Sequence, residues 1–183
     1  MRLAPVPMFY AQQPAMAIER CADSSRTTHA NPKVLDSCRY FGALLLGALH
    51  GQPKEVLLSP IKKWQFLDEK SMAQLVHLGS SVAEIANGSF KHKQPPEIQG
   101  SGYAIRGLEA ALWAFYNSSS FREGCLMAAN LGDDADTTAA IYGQLAGAYY
   151  GVNDIPAVWR AKLVKSDLII GLADKLWESA MRI

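Results

Sequence analysis

The chain reads GDDADTTAAIYGQLAGAYYG from residue 132 to residue 151, which is an acidic turn followed by a run rich in alanine and glycine. The run shows no alternation of polar and apolar residues, and alanine is the strongest helix former, so a helix is predicted directly after the turn. Ala139, Gly143 and Gly147 recur every four residues and therefore share one face of this helix. Each glycine inside a helix costs about 1 kcal/mol. We therefore expect another backbone to pack closely against this small-residue face.

The turn itself concentrates oxygen donors, because Asp133, Asp134, Asp136, Thr137 and Thr138 all fall within six consecutive residues. One explanation is structural: the free N–H groups and partial positive charge of a helix amino terminus offset the repulsion between the carboxylates. The other is a metal site. Carboxylate and hydroxyl oxygens are the hard donors that magnesium or calcium requires, and a turn before a helix can aim side chains two residues apart at one ion. Spacing alone leaves both explanations open.

Two further helices have clear start signals. Asn31-Pro32 is an N-cap followed by proline at the first helical position, and this helix is expected to end at Gly51. Its apolar residues recur at helical spacing: Leu35, Cys38, Phe41, Leu45 and Leu49. Ser120 and Glu123 have the spacing of a capping box, which predicts a helix from there to Asn130.

Weaker signals predict four more helices: from Pro14 through Cys21, from Asp68 to Gly79, from Pro156 to Val164, and from Ser166 to Met181. The last of these has Leu168, Leu172, Ala173 and Leu176 on one face. Residues 23–28 and 91–102 are polar or rich in proline and glycine, so both are predicted to be loops. Since no strand pattern occurs and no linker divides the chain, we predict a single all-α unit.

Composition excludes several classes of partner. The chain has 18 basic and 17 acidic residues without long runs of one sign, so no nucleic-acid partner is expected. Its longest apolar stretch, residues 40–49, is far shorter than the roughly 20 residues that span a bilayer, so no membrane association is expected. The three cysteines are odd in number and widely spaced, which favours free thiols in a reducing compartment. A cytoplasmic protein is predicted.

Residues 132–151 resemble the carboxy-terminal signature of the ADP-ribosylglycohydrolase family, which includes the dinitrogenase-reductase-activating type. The similarity continues, in family order, through residues 1–7 (MRLAPVP), 25–29 (SRTTH) and 100–103 (GSGY). The resemblance implies a compact multi-helix domain of the ADP-ribosylglycohydrolase fold. Residues 1–183 would form a partial domain that lacks the amino-terminal helices of that fold.

The resemblance also implies a site with two magnesium ions and ADP-ribose bound above them. The family's metal ligands match Asp134, Asp136 and Thr137, whereas Asp133 stands where many members have glycine and would at most contact these ligands. The family's Thr-His position, here His29, lies near the nucleotide diphosphate. A histidine that caps the adjacent helix start at Asn31 is the alternative for this residue.

Gly100, Ser101 and Gly102 would let the backbone approach a ribose or a phosphate, with Tyr103 available for stacking. A plain loop is the alternative for this segment. All of these assignments to substrate binding follow from the resemblance.

Family members carry a further amino-terminal portion of roughly a hundred residues, by the usual domain-size scale. That portion holds a Thr-Asp-Asp metal cluster and the catalytic acidic residue, and neither is found in this sequence. Two hypotheses follow. The chain is part of a magnesium-dependent hydrolase that removes ADP-ribose from a modified protein side chain or a small acceptor, with its catalytic residue in a missing amino-terminal half. Alternatively, it is a truncated, inactive remnant that binds ADP-ribose or serves as a scaffold.

Overall fold

Helices and their connecting loops make up residues 1–182, which are the residues described by this computed structural model, and no strand occurs among them. The α-helices are α1 (Pro5–Phe9), α2 (Pro14–Arg26), α3 (Pro32–Leu49), α4 (Lys54–Leu57), α5 (Glu69–Ala73), α6 (Ser80–Ala86), α7 (Ala104–Tyr116), α8 (Phe121–Ala129), α9 (Ala135–Tyr150), α10 (Ala157–Arg160) and α11 (Ser166–Ala180). Short 3-10 helices cover Ile61–Lys63, Ser89–Lys91 and Val152–Asp154. The prediction of an all-α fold is confirmed.

The two clear start signals act as predicted. Asn31 Oδ1 accepts a hydrogen bond from the backbone N–H of Lys33 at 3.0 Å and caps α3. Ser120 Oγ accepts from the backbone N–H of Glu123 at 3.2 Å and caps α8. The Glu123 carboxylate reaches back to the N–H of Ser119, at 2.7 Å, one residue before the cap. Each cap satisfies N–H groups that the helix itself leaves unpaired.

The predicted loop over residues 23–28 is largely wrong, because α2 continues to Arg26. Asp23 pairs with Arg20 at 2.9 Å and with Arg26 at 3.1 Å, and both pairs have the i, i+3 spacing that supports a helix. Ser25 is buried, and its hydroxyl donates to the carbonyl of His29 at 2.9 Å. The polar cluster is therefore the last turn of a helix and carries the chain directly toward α3.

Two other helices are shorter than predicted. Asp68 does open α5, by accepting from the N–H of Ser71 at 2.7 Å, but the helix ends at Ala73 and leaves Val76 exposed. The segment after Pro156 forms only the single turn of α10. Residues 92–102 have no regular secondary structure, so the loop predicted there is confirmed.

The core lies where α3, α7 and α9 meet, with α2 packed along α3 and α8 packed along α7 and α9. Each central helix contributes large side chains that are almost fully buried, among them Tyr40 and Leu44 on α3, Leu112 on α7, and Tyr142 on α9. The Tyr142 hydroxyl donates to the carbonyls of Ser120 and Phe121 at 3.0 and 3.1 Å, so this buried polar group is satisfied at the start of α8. Helix α9 is thereby held against α3, α7 and α8.

Helix α11 packs mainly against α1 and leaves much of its apolar surface uncovered. Of the four apolar residues predicted to share one face, Leu168 and Leu172 are 55% and 58% exposed. We call the following exposed residues the C-terminal apolar surface: Val158, Leu163, Val164, Leu168, Ile169, Ile170, Leu172, Trp177 and Met181. Within residues 1–182, none of the helices combines the length and the apolarity that crossing a membrane requires.

The small-residue face of α9 is not packed as expected. A Cβ atom added to Gly143 or Gly147 would meet no other atom of the described chain within 4 Å. The face that α9 does bury carries Thr138, Ile141 and Leu145. Among residues 1–182, no neighbouring element therefore packs closely against Gly143 or Gly147.

Buried groups that must stay protonated make the fold sensitive to alkaline pH. Burial raises the pKa of the Cys21 thiol and of the Tyr40 hydroxyl, so the folded state retains protons that the unfolded chain releases above about pH 8.5 and pH 10 respectively. A raised pKa contributes stability that is present below the unfolded pKa and lost as the pH rises. We expect the Cys21 contribution to fall by about 2 kcal/mol between pH 8 and pH 10.

Urea unfolding of the wild type and of Cys21→Ala at pH 7, 8, 9 and 10 measures this contribution. Burial lowers the pKa of Lys54 and so acts in the opposite sense, but it acts equally in both proteins. The difference between their unfolding free energies should therefore shrink as the pH rises. A difference that stays constant from pH 7 to pH 10 would contradict the prediction.

Candidate functional site

The acidic turn enters α9 through two residues with left-handed backbone, Gly132 at φ 73° and Asp133 at φ 50°. Asp134 occupies the N-cap position, where its carbonyl oxygen accepts from the Thr138 N–H at 3.1 Å and from Thr138 Oγ1 at 3.2 Å. The Asp134 carboxylate makes no capping bond, whereas Asp136 Oδ1 accepts from the N–H of Thr137 at 2.9 Å. A hydrogen bond in the first turn of α9 therefore occupies one carboxylate oxygen of Asp136. The Asp134 carboxylate takes no part in capping the helix.

The loop at residues 100–102 packs directly on this turn, and glycine is required there for that reason. A Cβ atom on Gly102 would lie 2.8 Å from Asp134 Oδ2, and one on Gly100 would lie 2.2 Å from the carbonyl oxygen of Gly132. Ser101 Oγ accepts from the N–H of Tyr103 at 3.2 Å. The glycines of this loop therefore allow the backbone of Gly132 and the carboxylate of Asp134 to approach it closely, and the role of the segment in substrate binding stays a prediction.

The carboxylates of the turn are not neutralised by neighbouring cations. Neither Asp134 nor Asp136 is among the ion pairs of the described residues. Nor do residues 1–182 contain a group of three or more histidine, cysteine, aspartate or glutamate side chains arranged to hold a metal ion. Two carboxylates and the Thr137 hydroxyl suit magnesium in kind, but magnesium takes six oxygen ligands. With one oxygen from each of these groups, half of the six ligands of one such ion would have to come from elsewhere.

A cavity of about 630 Å³ lies next to the turn. Four residues predicted to bind substrate or metal line it, namely His29, Gly102, Tyr103 and Thr137. The other predicted residues lie outside its lining: Gly100, Ser101, Asp134 and Asp136. Because Gly102 contributes to the cavity and also contacts Asp134, the acidic turn borders this space.

His29 and Tyr103 stand exposed on the cavity rim. The imidazole of His29 makes no hydrogen bond within residues 1–182, and Asn31 caps α3, so the alternative in which His29 caps that helix is wrong. The Tyr103 ring is 50% exposed, which leaves area for a planar partner. Their roles in substrate binding stay predictions.

Several residues that line the cavity could not be assigned to it from the sequence. The floor is apolar and buried, and is formed by Leu3, Phe41, Leu108 and Ile141. Polar residues at the junction of α2 and α3 form one end: Arg2, Ser24, Thr28 and Asn31. The similarity over residues 1–7 marked the right segment, but only the folded chain brings Arg2 beside the end of α2.

Gln144 attaches the first residues of the chain to α9. Its Oε1 accepts from the N–H of Ala4 at 2.8 Å, and its Nε2 donates to the carbonyl of Met1 at 2.6 Å. Arg2, between these two contacts, donates from Nη2 to Thr27 Oγ1 at 2.6 Å. The segment that carries Arg2 is thus held by α9 on one side and by the end of α2 on the other.

Comparison with known proteins decides the family, because the model of the family described as ADP-ribosylglycohydrolase matches residues 1–182. The chain belongs to the ADP-ribosylglycohydrolase family. It is 37% identical over 179 residues to the ADP-ribosylarginine hydrolase Tri1 of Serratia proteamaculans, covering 98% of this chain and 45% of that protein. It is 40% identical over 72 residues to the ADP-ribosyl-[dinitrogen reductase] glycohydrolase of Rhodospirillum rubrum, covering 39% of this chain and 24% of that protein.

A solved structure of this ADP-ribosylglycohydrolase family has the same fold. It is described as an ADP-ribosylglycohydrolase-related protein complex, with a TM-score of 0.85 and 37% sequence identity. The match covers 98% of this chain and 58% of that one. The chain thus spans about half the length of the curated relatives that it matches along its whole sequence, such as the Tri1 hydrolase of Pseudomonas putida, of which it covers 46%.

Proposed function

We propose that this chain supplies part of a magnesium-dependent hydrolase that releases ADP-ribose from a modified protein side chain. The observation that carries the proposal is the contact between the acidic turn and the cavity, in which Gly102 lines the space and its backbone packs against the Asp134 carboxylate. Relatives along the whole chain are named ADP-ribosylarginine hydrolases, which favours arginine as the modified side chain. The free cysteines agree with a cytoplasmic location.

In this proposal, Asp134, Asp136 and Thr137 hold one side of a site for two magnesium ions. Magnesium at such a position would orient ribose hydroxyls and an attacking water. The chain's own residues bind and position the substrate. His29 donates a hydrogen bond to a phosphate oxygen, the exposed face of Tyr103 packs on a ring, and Gly100 and Gly102 keep the loop in contact with the acidic turn.

Catalysis requires groups that this chain does not itself provide. Two carboxylates cannot complete a two-ion cluster, and no further acidic side chain is grouped with them in the described residues. The residues of the C-terminal apolar surface are exposed, and space is open beside Gly143 and Gly147 on α9. Large exposed apolar patches usually mark interaction sites. We infer that a complementary portion, equivalent to the amino-terminal half of the relatives, covers these faces and adds the missing ligands and the catalytic acid.

A remnant that binds ADP-ribose without catalysis is the second candidate. The small number of metal-binding side chains favours it, because an ion held by few protein ligands is bound weakly. In that case the cavity would bind ADP-ribose with or without magnesium, and no turnover would follow.

The test compares this chain alone with a fusion in which the part of the Serratia relative outside the aligned region is joined to it. ADP-ribose release from ADP-ribosylated arginine is measured with millimolar magnesium and with EDTA. We expect little or no release by the chain alone and at least about 100-fold more by the fusion, because a positioned general base contributes on the order of 10²- to 10⁴-fold.

The comparison of assays with magnesium and with EDTA separates the two candidate functions. Turnover by the fusion that disappears in EDTA supports the hydrolase. Binding of ADP-ribose by both proteins without turnover by either supports the remnant. Comparable turnover by chain and fusion would contradict the need for a complementary portion.

A further inference from the structure

The lining of the cavity contains a single charged side chain among the described residues. Among its described lining residues, Arg2 is the one side chain with a permanent charge, and the lining contains no aspartate or glutamate. Asp23, which lies near the end of α2, is already paired with Arg20 and Arg26. A ligand that enters this space therefore meets an arginine that forms no ion pair within residues 1–182, although the carboxylates of the acidic turn border the same cavity.

The Arg2 side chain is also held in place by a hydrogen bond. Its Nη2 donates to Thr27 Oγ1 at 2.6 Å, and the same Thr27 hydroxyl donates to the carbonyl of Ser24 at 2.8 Å, so its hydrogen is used and its lone pair faces the guanidinium. A guanidinium has five N–H donors, and this contact uses one of them. No ion pair of Arg2 exists within residues 1–182. Most of its donors remain available to a ligand.

Neighbouring side chains add donors of the same kind. Ser24 Oγ, the His29 ring and the Asn31 amide nitrogen are at the same junction of α2 and α3, and none of them hydrogen bonds to a described residue. The buried floor of the cavity is apolar. The space thus combines one end rich in donors with a dry floor, which suits a molecule that has an anionic part and an aromatic or aliphatic part.

We propose that Arg2, held by Thr27, binds the phosphate-bearing part of the ligand in this cavity. A guanidinium binds a phosphate through two parallel N–H···O bonds, which makes the contact stronger and more directional than a lysine would make it. The assignment rests on the proposed function only for the identity of the ligand as ADP-ribose. The charge and donors of the cavity alone imply only that Arg2 binds an anionic group of the ligand.

The competing explanation is structural, since a cation near the end of α2 also interacts favourably with the helix dipole. Arg26 provides a matched control, because it belongs to the same helix end, is exposed, and pairs with Asp23 without lining the cavity. The variants to compare are Arg2→Gln, Arg2→Lys and Arg26→Gln in the full chain.

Binding of ADP-ribose, pyrophosphate and adenosine to each variant is followed by NMR titration at 50 and 300 mM NaCl. We expect Arg2→Gln to weaken ADP-ribose and pyrophosphate binding roughly tenfold, to leave adenosine binding unchanged, and to reduce the salt dependence. Arg2→Lys should recover part of the affinity, and Arg26→Gln should match the wild type.

Several results would overturn the assignment. Equal weakening of adenosine and pyrophosphate binding by Arg2→Gln would mean that Arg2 only supports the fold, and so would an equal effect of Arg26→Gln. Failure of the wild type to bind pyrophosphate would also overturn it. The proposed function fails separately: pyrophosphate binding that depends on Arg2, together with no binding of ADP-ribose, would contradict the function and leave Arg2 as an anion-binding residue.

Discussion

We expect the double variant Asp134→Ala, Asp136→Ala of the fusion to release ADP-ribose at least about 100-fold more slowly than the unsubstituted fusion. Loss of groups that merely orient metal ligands already costs roughly 10- to 100-fold in activity, and removal of the ligands themselves costs more. The Asp134 side chain caps no helix and pairs with no cation in the described chain. Asp136 accepts one N–H bond in the first turn, so the double replacement should cost α9 no more than that bond. The measurement is initial rate against magnesium concentration.

Glu84→Ala is the control, because Glu84 is an exposed carboxylate on α6 that belongs neither to the cavity lining nor to the C-terminal apolar surface. Its rate and its magnesium dependence should equal those of the unsubstituted fusion. Circular dichroism of the double variant should show unchanged helix content. Undiminished turnover by the folded double variant would remove Asp134 and Asp136 from the metal assignment.

The second large effect concerns Gly100, whose substitution by alanine should lower the free energy of unfolding by about 2–3 kcal/mol, at the upper end of the cost of overpacking a core. Gly100 is buried, and its added Cβ would lie 2.2 Å from the Gly132 carbonyl oxygen. Both partners are backbone, so neither can rotate away. The acidic turn would have to shift, and activity of the fusion should fall along with stability.

Gly143→Ala is the matched control for Gly100→Ala. Apart from the backbone of α9 itself, its added Cβ would meet no atom of the described chain within 4 Å. There the gain in helix propensity should raise the unfolding free energy by about 0.5–1 kcal/mol. Urea unfolding of both variants of the chain alone measures the contrast. A Gly100→Ala variant as stable as the wild type would show that the loop does not pack against the turn as described.

Those parts of the fold that depend on local chemistry could be predicted from the sequence. Asn31 and Ser120 bond to N–H groups two and three residues away, so their spacing along the chain carries the signal. Helix α7 has no such signal: its N-cap residue, Tyr103, makes no side-chain cap, and apolar residues surround the helix on most sides. The continuation of α2 to Arg26 runs through a cluster that has the composition of a loop, and there the burial of Ser25 and two exposed ion pairs accompany the helix.

The candidate site also has parts that could be predicted from the sequence and parts that could not. The acidic turn is a contiguous motif, so its candidate ligands could be named from the resemblance. The requirement for glycine at positions 100 and 102 arises from contacts with residues 132 and 134, more than thirty positions away along the chain. Arg2 likewise becomes a candidate only when folding places it against Thr27. Tertiary contacts of this range leave no periodic pattern in one sequence.

The two amide hydrogen bonds of Gln144, to the backbone of Met1 and Ala4, connect both borders of the cavity to one helix. Asp134 opens the helix that carries Gln144, and Arg2 belongs to the segment that Gln144 holds. Arg2 also donates to Thr27 beside the end of α2, so its position depends on two helices. A displacement of α9 relative to α2 would therefore move the carboxylate border of the cavity and pull on the cationic one.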